Sequence, residues 1–99
     1  MYRLTIQYET PAEPAEFDQQ YFGQHVPLCA DIPGLEASTF SKPKVLGPGA
    51  APYLVAELDF ADEAAFKAAM RSPEMGAVAK DAETLTAERV MFVGELSES

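Results

Sequence analysis

The chain has few of the side chains on which disulfide-rich and metal-binding proteins depend. It contains one cysteine, Cys29, and one histidine, His25, among 99 residues. A single cysteine cannot form an internal disulfide, and one imidazole without a cysteine cluster is not the usual ligand set of a catalytic metal or haem. We therefore expect no disulfide, no metal and no cofactor.

Cys29 itself has two interpretations. A reactive thiol needs electropositive surroundings, whereas Asp31 lies close by in the sequence. A free cysteine is otherwise among the most buried residue types and packs as a small apolar side chain. We favour the packing role.

Positive charge and long apolar runs are also scarce. Seven basic residues stand against sixteen acidic ones, so the net charge is −9. Such a surface repels nucleic acid and anionic lipid, and no basic stripe interrupts it. No apolar run approaches the roughly 20 residues of a membrane span, and the first residues have a strand pattern without the features of a signal peptide. We expect a cytoplasmic protein with neither nucleic acid nor membrane as a partner.

Several catalytic motifs are missing as well. The Gly47-Pro48-Gly49 segment lacks the spacing and the strand-to-helix context of a phosphate-binding loop. The sequence contains no serine nucleophile elbow and no clear pair of catalytic carboxylates. Phosphate chemistry and serine hydrolysis therefore have no support in the sequence.

What the chain does contain is the pattern of one α+β domain, which we expect to span residues 1–99. Strict alternation of apolar and polar residues over Tyr2–Tyr8 predicts a strand. Helical spacing then joins Phe17, Tyr21, Gln24 and Leu28. We expect Pro27 to end or kink this helix, because proline lacks the amide hydrogen and clashes with the preceding turn.

The remaining elements complete a known order. Strands are predicted over Leu35–Val45, Tyr53–Phe60 and Arg89–Glu95, and two further helical stretches begin at Asp62 and Ser72, which are good N-cap residues. The order β-α-β-β-α-β is that of the ferredoxin-like fold, an antiparallel four-stranded sheet with helices on one face.

The face of this sheet without helices is of mixed polarity. It either lies in water, as one face of an antiparallel sheet often does, or packs against a second copy. We favour a homodimer through the open sheet face, because Tyr53, Val55 and either Met91 or Val93 would add apolar area to it. The other residues that we expect on this face are Arg3, Thr5, Gln7 and Glu57.

Several segments together resemble the EthD family of the dimeric α+β barrel proteins, over nearly the whole chain. The segments are His25-Val26-Pro27-Leu28 preceded by Phe17, Tyr21 and Phe22; Ile32-Pro33-Gly34-Leu35; Phe60-Ala61-Asp62 before Phe66; and Ser72-Pro73-Glu74 with Asp81-Ala82 downstream. The resemblance implies a homodimer whose two sheets form a barrel, with an apolar cavity between sheet and helices in each subunit. It also implies a link to the degradation of organic compounds and a broad oxidoreductase label. Similar small proteins include cofactor-independent monooxygenases, lactone isomerases and polyketide cyclases, so the family does not define one reaction.

His25 is the candidate catalytic residue. Histidine is the side chain whose unperturbed pKa, about 6.5, lies nearest to neutral pH, which suits a general base or acid. The alternative is a structural histidine that bonds a loop carbonyl and fixes the exit of the helix. The residues alone favour the structural role, and the resemblance makes the two about equal.

Five further residues are candidates for binding a substrate around His25. Tyr8 and Tyr21 project from the predicted core face and combine an apolar ring with a polar tip. Phe22 and Phe40 would form apolar walls. Asp81 would orient the imidazole if the two side chains meet. The alternatives are ordinary core or interface packing for the aromatic residues and a solvated helix face for Asp81.

Two functions follow from these alternatives. The first is a small cofactor-independent enzyme, of monooxygenase or isomerase type, that acts on a small apolar molecule with His25 as proton shuttle. The second is a non-catalytic dimeric binding or accessory module in which His25 is structural. The enzyme requires a solvent-reachable cavity of roughly 300 Å³ or more beside His25, and the module does not.

Overall fold

The computed structural model describes residues 1–98 and contains four strands and four α-helices. The strands are β1 (Tyr2–Tyr8), β2 (Leu35–Ser41), β3 (Leu54–Phe60) and β4 (Arg89–Glu95). The α-helices are α1 (Pro14–Gln20), α2 (Val26–Cys29), α3 (Glu63–Met70) and α4 (Pro73–Ala82), and one π-helical turn (Tyr21–His25) joins α1 to α2. No helix of the described residues is long and apolar enough to cross a membrane.

The four strands form one antiparallel sheet in the order β2-β3-β1-β4. In the register of the central pair, Leu4 lies opposite Leu58 and Ile6 opposite Ala56. The inward side chains of β1 and β3 alternate with partly exposed ones, as the period of a half-buried strand requires. The predicted ferredoxin-like α+β fold is confirmed.

One hydrophobic core lies between the helices and the inner face of the sheet. The aromatic and aliphatic side chains of β1 and β3 form its floor, and α1, the π turn and α4 cover it. Its buried members are Leu4, Ile6, Tyr8, Phe17, Tyr21, Cys29, Ile32, Leu54, Ala56, Leu58, Phe60, Ala69, Val78, Ala82 and Leu85.

Both predicted helix starts are confirmed by side-chain caps. The Asp62 carboxylate accepts a hydrogen bond of 2.8 Å from the Ala65 amide at the start of α3. The Ser72 hydroxyl accepts one of 3.1 Å from the Met75 amide at the start of α4. Each cap satisfies an amide that has no partner within its helix. The Ser72 cap fixes where α4, which carries Asp81, begins.

The first helix differs from the sequence prediction. Pro27 neither ends it nor forces Val26 out of the helical region, since Val26 has φ −58° and ψ −44°. The reason is the π turn, in which the Val26 amide donates to the carbonyl of Tyr21, five residues back. The wider turn leaves room for the proline ring, which then sits in the first turn of α2. The helical path therefore continues past His25 to Cys29.

The strand boundaries also shift. Strand β2 ends at Ser41 instead of Val45, because Pro43 has no amide hydrogen to donate to the sheet. Tyr53 precedes β3 and does not lie on the open face. Its ring packs edge-on against Phe17 at 5.9 Å, and its hydroxyl donates to Asp18 at 2.9 Å. Tyr53 therefore belongs to the helix side of the sheet.

Strand β4 divides its apolar residues between the two faces of the sheet. Val90 and Phe92 lie opposite Gln7 and Thr5, on the open face. Met91 and Val93 lie opposite Ile6 and Leu4, on the helix side, so neither lies on the open face as expected. The side chains are nevertheless exposed, because β4 is an edge strand that the helices do not cover.

Candidate functional site

His25 is held inside the protein by a carboxylate. Its side chain lies at the end of the π turn and the residue is 1% exposed. Nδ1 lies 2.9 Å from Oδ2 of Asp81, which comes from α4 and is 8% exposed. Among residues 1–98 these two are the buried polar or charged residues outside the apolar core. The structure thus joins the candidate catalytic residue to a candidate binding residue 56 positions away.

The other oxygen of the Asp81 carboxylate is also occupied. The side-chain amide of Gln24 donates to Oδ1 of Asp81. One helical turn earlier, the Gln20 amide donates to the Thr84 hydroxyl at 2.5 Å, and that hydroxyl donates to the Asp81 carbonyl at 2.7 Å. Two glutamines therefore attach the first helical segment to the end of α4. Of these, Gln24 bonds directly to the carboxylate that holds His25.

The partner of Nδ1 decides which nitrogen of His25 is available for chemistry. An ionised carboxylate only accepts hydrogen bonds, so Nδ1 carries the hydrogen in the neutral ring. Among the described residues, the bond made by Nδ1 is the side-chain hydrogen bond of this ring. Nε2 is left as the unprotonated nitrogen, with a lone pair that can take up a proton.

Of the aromatic candidates, Tyr21 packs directly against His25, and Tyr8 and Phe40 pack against Tyr21. The Tyr21 ring lies 5.1 Å from the His25 ring, 5.3 Å from the Tyr8 ring and 5.9 Å from the Phe40 ring, between centroids. Burial raises the pKa of Tyr8 and of Tyr21 above that of a free tyrosine. Both hydroxyls therefore remain protonated at neutral pH and can donate hydrogen bonds.

Phe22 lies outside this group. It is 44% exposed, on the outer side of the π turn, although its ring contacts Tyr21 edge-on at 5.3 Å. Lys42 lies 5.8 Å from the centre of the same ring. The structure thus brings Tyr21 and Asp81 into contact with His25, places Tyr8 and Phe40 one contact further away behind Tyr21, and leaves Phe22 at the surface.

Two cavities of the protein lie away from His25. The larger, of about 480 Å³, is at the end of the sheet where β1 finishes and β4 begins, and Tyr8 and Arg89 are among its lining residues. The smaller, of about 150 Å³, lies on the open face beside Arg3 and Phe92. Neither is lined by His25, and Tyr8 is the candidate residue that borders the larger one.

Cys29 lies in the core beside this site and is buried, as the packing interpretation predicted. Burial, and then the nearby Asp81 carboxylate, raise the pKa of the thiol to about 11. The thiol is therefore protonated at neutral pH and is a poor nucleophile. Among residues 1–98 no three histidine, cysteine, aspartate or glutamate side chains are grouped as a metal site would require.

Sequence reasoning missed Gln24, Gln20 and Thr84. Gln24 and Gln20 are four positions apart, which places them on one side of the helical segment, but glutamines at that spacing are common on solvated helices. What distinguishes Gln24 is that it bonds to the same Asp81 carboxylate as His25, its neighbour in the sequence. That contact depends on packing between α4 and the π turn, which the sequence does not show.

Comparison with known proteins gives one family and a consistent fold. The model of the EthD domain matches residues 9–89. An uncharacterised 11.0 kDa protein from the thcB–thcC intergenic region of Rhodococcus erythropolis is 41% identical over 75 residues, which cover 75% of this chain and 73% of that protein.

Solved structures agree with this result. An ethyl tert-butyl ether D (EthD) family protein from Bacillus halodurans has a TM-score of 0.90 and 30% identity, covering 98% of this chain and 99% of the other. SnoaB, a cofactor-independent oxygenase from Streptomyces nogalater, has a TM-score of 0.73 at 18% identity and covers 99% of this chain and 94% of its own. A dimeric ferredoxin-like protein of unknown function from Thermobifida fusca has a TM-score of 0.72 at 21% identity, with 96% and 90% covered.

Proposed function

Since this chain belongs to the EthD domain family, we propose that it is a cofactor-independent enzyme that moves a proton on a small apolar molecule. His25 is the catalytic residue of this proposal, and Nε2 is the atom that takes up and returns the proton. Asp81 orients the ring. The observation that carries the proposal is the buried hydrogen bond of 2.9 Å between Nδ1 of His25 and Asp81.

The chemistry of this pair is that of an oriented general base. Nε2 accepts a proton from a C–H or O–H group of the substrate, which keeps the bonding electrons and becomes an anion. The ring becomes an imidazolium, and the Asp81 carboxylate 2.9 Å away stabilises its positive charge. Return of the proton to another atom of the substrate completes an isomerisation. Alternatively, the carbanion adds to dioxygen to form a C–O bond, and the imidazolium returns its proton to the peroxide anion. Loss of water from the resulting hydroperoxide then leaves one oxygen atom in the product as a carbonyl group.

The fold is compatible with such chemistry. SnoaB, which shares the fold, is described as a cofactor-independent oxygenase. We propose that Tyr8, Tyr21 and Phe40 form the apolar wall on which the substrate lies, with Phe22 at its outer edge. The two tyrosine hydroxyls would donate hydrogen bonds to a carbonyl or phenolic oxygen.

A second function is favoured by the tight packing of the histidine. The ring is 1% exposed and neither cavity described above reaches it. A dimeric binding or accessory module would need the His25–Asp81 bond only to fix the π turn against α4. In that case the bond contributes stability and no turnover.

A base probe and one substitution separate these functions. The probe is 5-nitrobenzisoxazole, a small apolar aromatic molecule whose ring opens when a base removes its one acidic C–H proton. The substitution is His25→Gln, because glutamine still donates a hydrogen bond to Asp81 but takes up no proton at neutral pH. We expect the acceleration by the native protein to fall by about 10²–10⁴-fold, which is the usual contribution of a general base.

The control is Gln19→Met on α1, since Gln19 is exposed and is not among the residues that bond to the pair. This variant should retain full activity towards the probe. Folding of each variant is followed by far-UV circular dichroism and thermal unfolding. Equal rates for the native protein and a folded His25→Gln variant would contradict the enzymatic function and favour the non-catalytic module.

We also infer that the protein is a homodimer formed through the open sheet face. Val90 and Phe92 are exposed there. The charges on that face are already paired: Arg3 donates to Asp59 at 2.7 Å and 3.0 Å and to Glu57 at 2.9 Å. Paired charges are less costly to bury than single ones. Solved neighbours from Thermobifida fusca and Bacteroides fragilis are described as dimeric.

The cytoplasm remains the expected compartment.

A further inference from the structure

We propose that Gln24 is a positioning residue for the His25–Asp81 pair, and that the π turn presents both side chains to one carboxylate. This inference rests on the proposed function, since it assigns a third member to the same site. Gln24 touches no reacting atom. It acts through Asp81, whose Oδ1 it holds while His25 holds Oδ2.

The geometry of the helix explains why two consecutive residues reach the same group. In an α-helix of 3.6 residues per turn, neighbouring side chains diverge by about 100° and do not face a common partner. A π turn contains more residues per turn, so the angle between neighbours is smaller. The segment Tyr21–His25 is such a turn, closed by the bond from the Val26 amide to the Tyr21 carbonyl. The smaller angle, together with the length of the glutamine side chain, allows Gln24 and His25 to bond to the same carboxylate.

Fixing both oxygens has a chemical consequence. A carboxylate held only by His25 can rotate about its terminal bond and exchange the oxygen that accepts from Nδ1. The second donor removes that freedom, because a hydrogen bond to a charged acceptor is stronger than one between neutral groups. Asp81 is 8% exposed, and its Oδ1 atom is occupied by Gln24, which is itself an exposed residue. The Nδ1 proton is then protected from exchange with water.

The role of Gln24 differs from that of Gln20, which makes the neighbouring contact. Gln20 donates to the Thr84 hydroxyl and so attaches the helical segment to α4 without touching the Asp81 carboxylate. If Gln24 served only to attach the two segments, the loss of either glutamine would have the same effect on His25. If Gln24 positions the carboxylate, its own loss has a much larger effect.

The experiment measures exchange of the His25 Nδ1 proton with water by NMR, on ¹⁵N-labelled protein without substrate. The chain has one histidine, so the imidazole signals are unambiguous. Gln24→Met keeps the length of the side chain but removes the donor. We expect exchange to become at least about tenfold faster, the factor that corresponds to the net value of one hydrogen bond. Gln24→Lys restores a donor to Asp81, and we expect it to restore protection.

Two control variants provide the exchange rates with which Gln24→Met is compared. Gln20→Met removes the contact to Thr84, and Gln19→Met changes an exposed glutamine without a role in the site. Gln24 is itself an exposed residue, so all four variants should fold. Exchange in Gln24→Met that equals exchange in Gln19→Met or Gln20→Met, or a Gln24→Lys variant that remains as fast as Gln24→Met, would overturn the proposal. The exchange measurement requires no turnover. It therefore tests the positioning role of Gln24 separately from the benzisoxazole assay, which tests His25 as a base, and either claim can fail without the other.

Discussion

Asp81→Asn is expected to abolish most of the base catalysis while leaving the protein folded. Asparagine has an oxygen on one side and an NH₂ group on the other. With Gln24 in the orientation in which its NH₂ group donates, the asparagine oxygen faces Gln24 and the asparagine NH₂ group faces His25. Nδ1 must then accept, Nε2 carries the hydrogen, and the base is lost together with the negative charge that stabilised the imidazolium.

The expected size of this effect is a 10³–10⁴-fold slower opening of 5-nitrobenzisoxazole, on the scale of about 10⁴ found for the same substitution in the serine-protease triad. The matched control is Glu83→Gln, a carboxylate-to-amide change at an exposed residue directly after α4. Urea unfolding of both variants shows whether the fold is intact. A folded Asp81→Asn variant with native activity would contradict the orienting role of Asp81.

The second large effect concerns the assembly. Phe92→Glu is expected to convert the protein from a dimer into a monomer, because it places a charge among the apolar side chains of the open face. Phe92 is 48% exposed in the single chain and lies opposite Thr5 on that face. Burial of an unpaired carboxylate in an interface costs several kcal/mol. Sedimentation or light scattering should give a mass near the 10.7 kDa of one chain, against about twice that value for the native protein.

Leu46→Glu is the control for this change. Leu46 is 99% exposed, in the connection between β2 and β3, and a charge there should leave the dimer intact. A native protein of monomer mass, or a Phe92→Glu variant that remains dimeric, would remove the open sheet face as the interface. The base-catalysis tests above do not depend on this result.

The sequence predicted the fold because the fold depends on local patterns. Alternation in β1 and β3 and the caps at Asp62 and Ser72 each follow from neighbouring residues. Two predictions failed where a longer-range arrangement decided the outcome. Pro27 was expected to end or kink the helix, but the helix continues beyond it, because the π turn accommodates the proline ring. Tyr53 was placed on the open face by alternation, but Phe17 and Asp18 hold it on the other side.

The candidate site was only partly predictable for the same reason. His25 was evident as the one titratable group suited to neutral pH, and Asp81 was a candidate through the family resemblance. Their contact spans 56 positions and depends on how α4 packs on the π turn. Gln24 was not found at all, since its role exists only when Asp81 is in place. Local patterns identify elements, whereas a buried polar contact between elements requires the structure.

The most direct test of this account is the tautomer of His25 in the native protein. Long-range ¹H–¹⁵N correlation spectra of the one imidazole, recorded at a pH where the ring is neutral, distinguish the protonated nitrogen from the free one. The hydrogen bond between Nδ1 and Asp81 predicts that Nδ1 carries the hydrogen and Nε2 is free. A hydrogen on Nε2 in the neutral ring would contradict both the orientation by Asp81 and the assignment of Nε2 as the base.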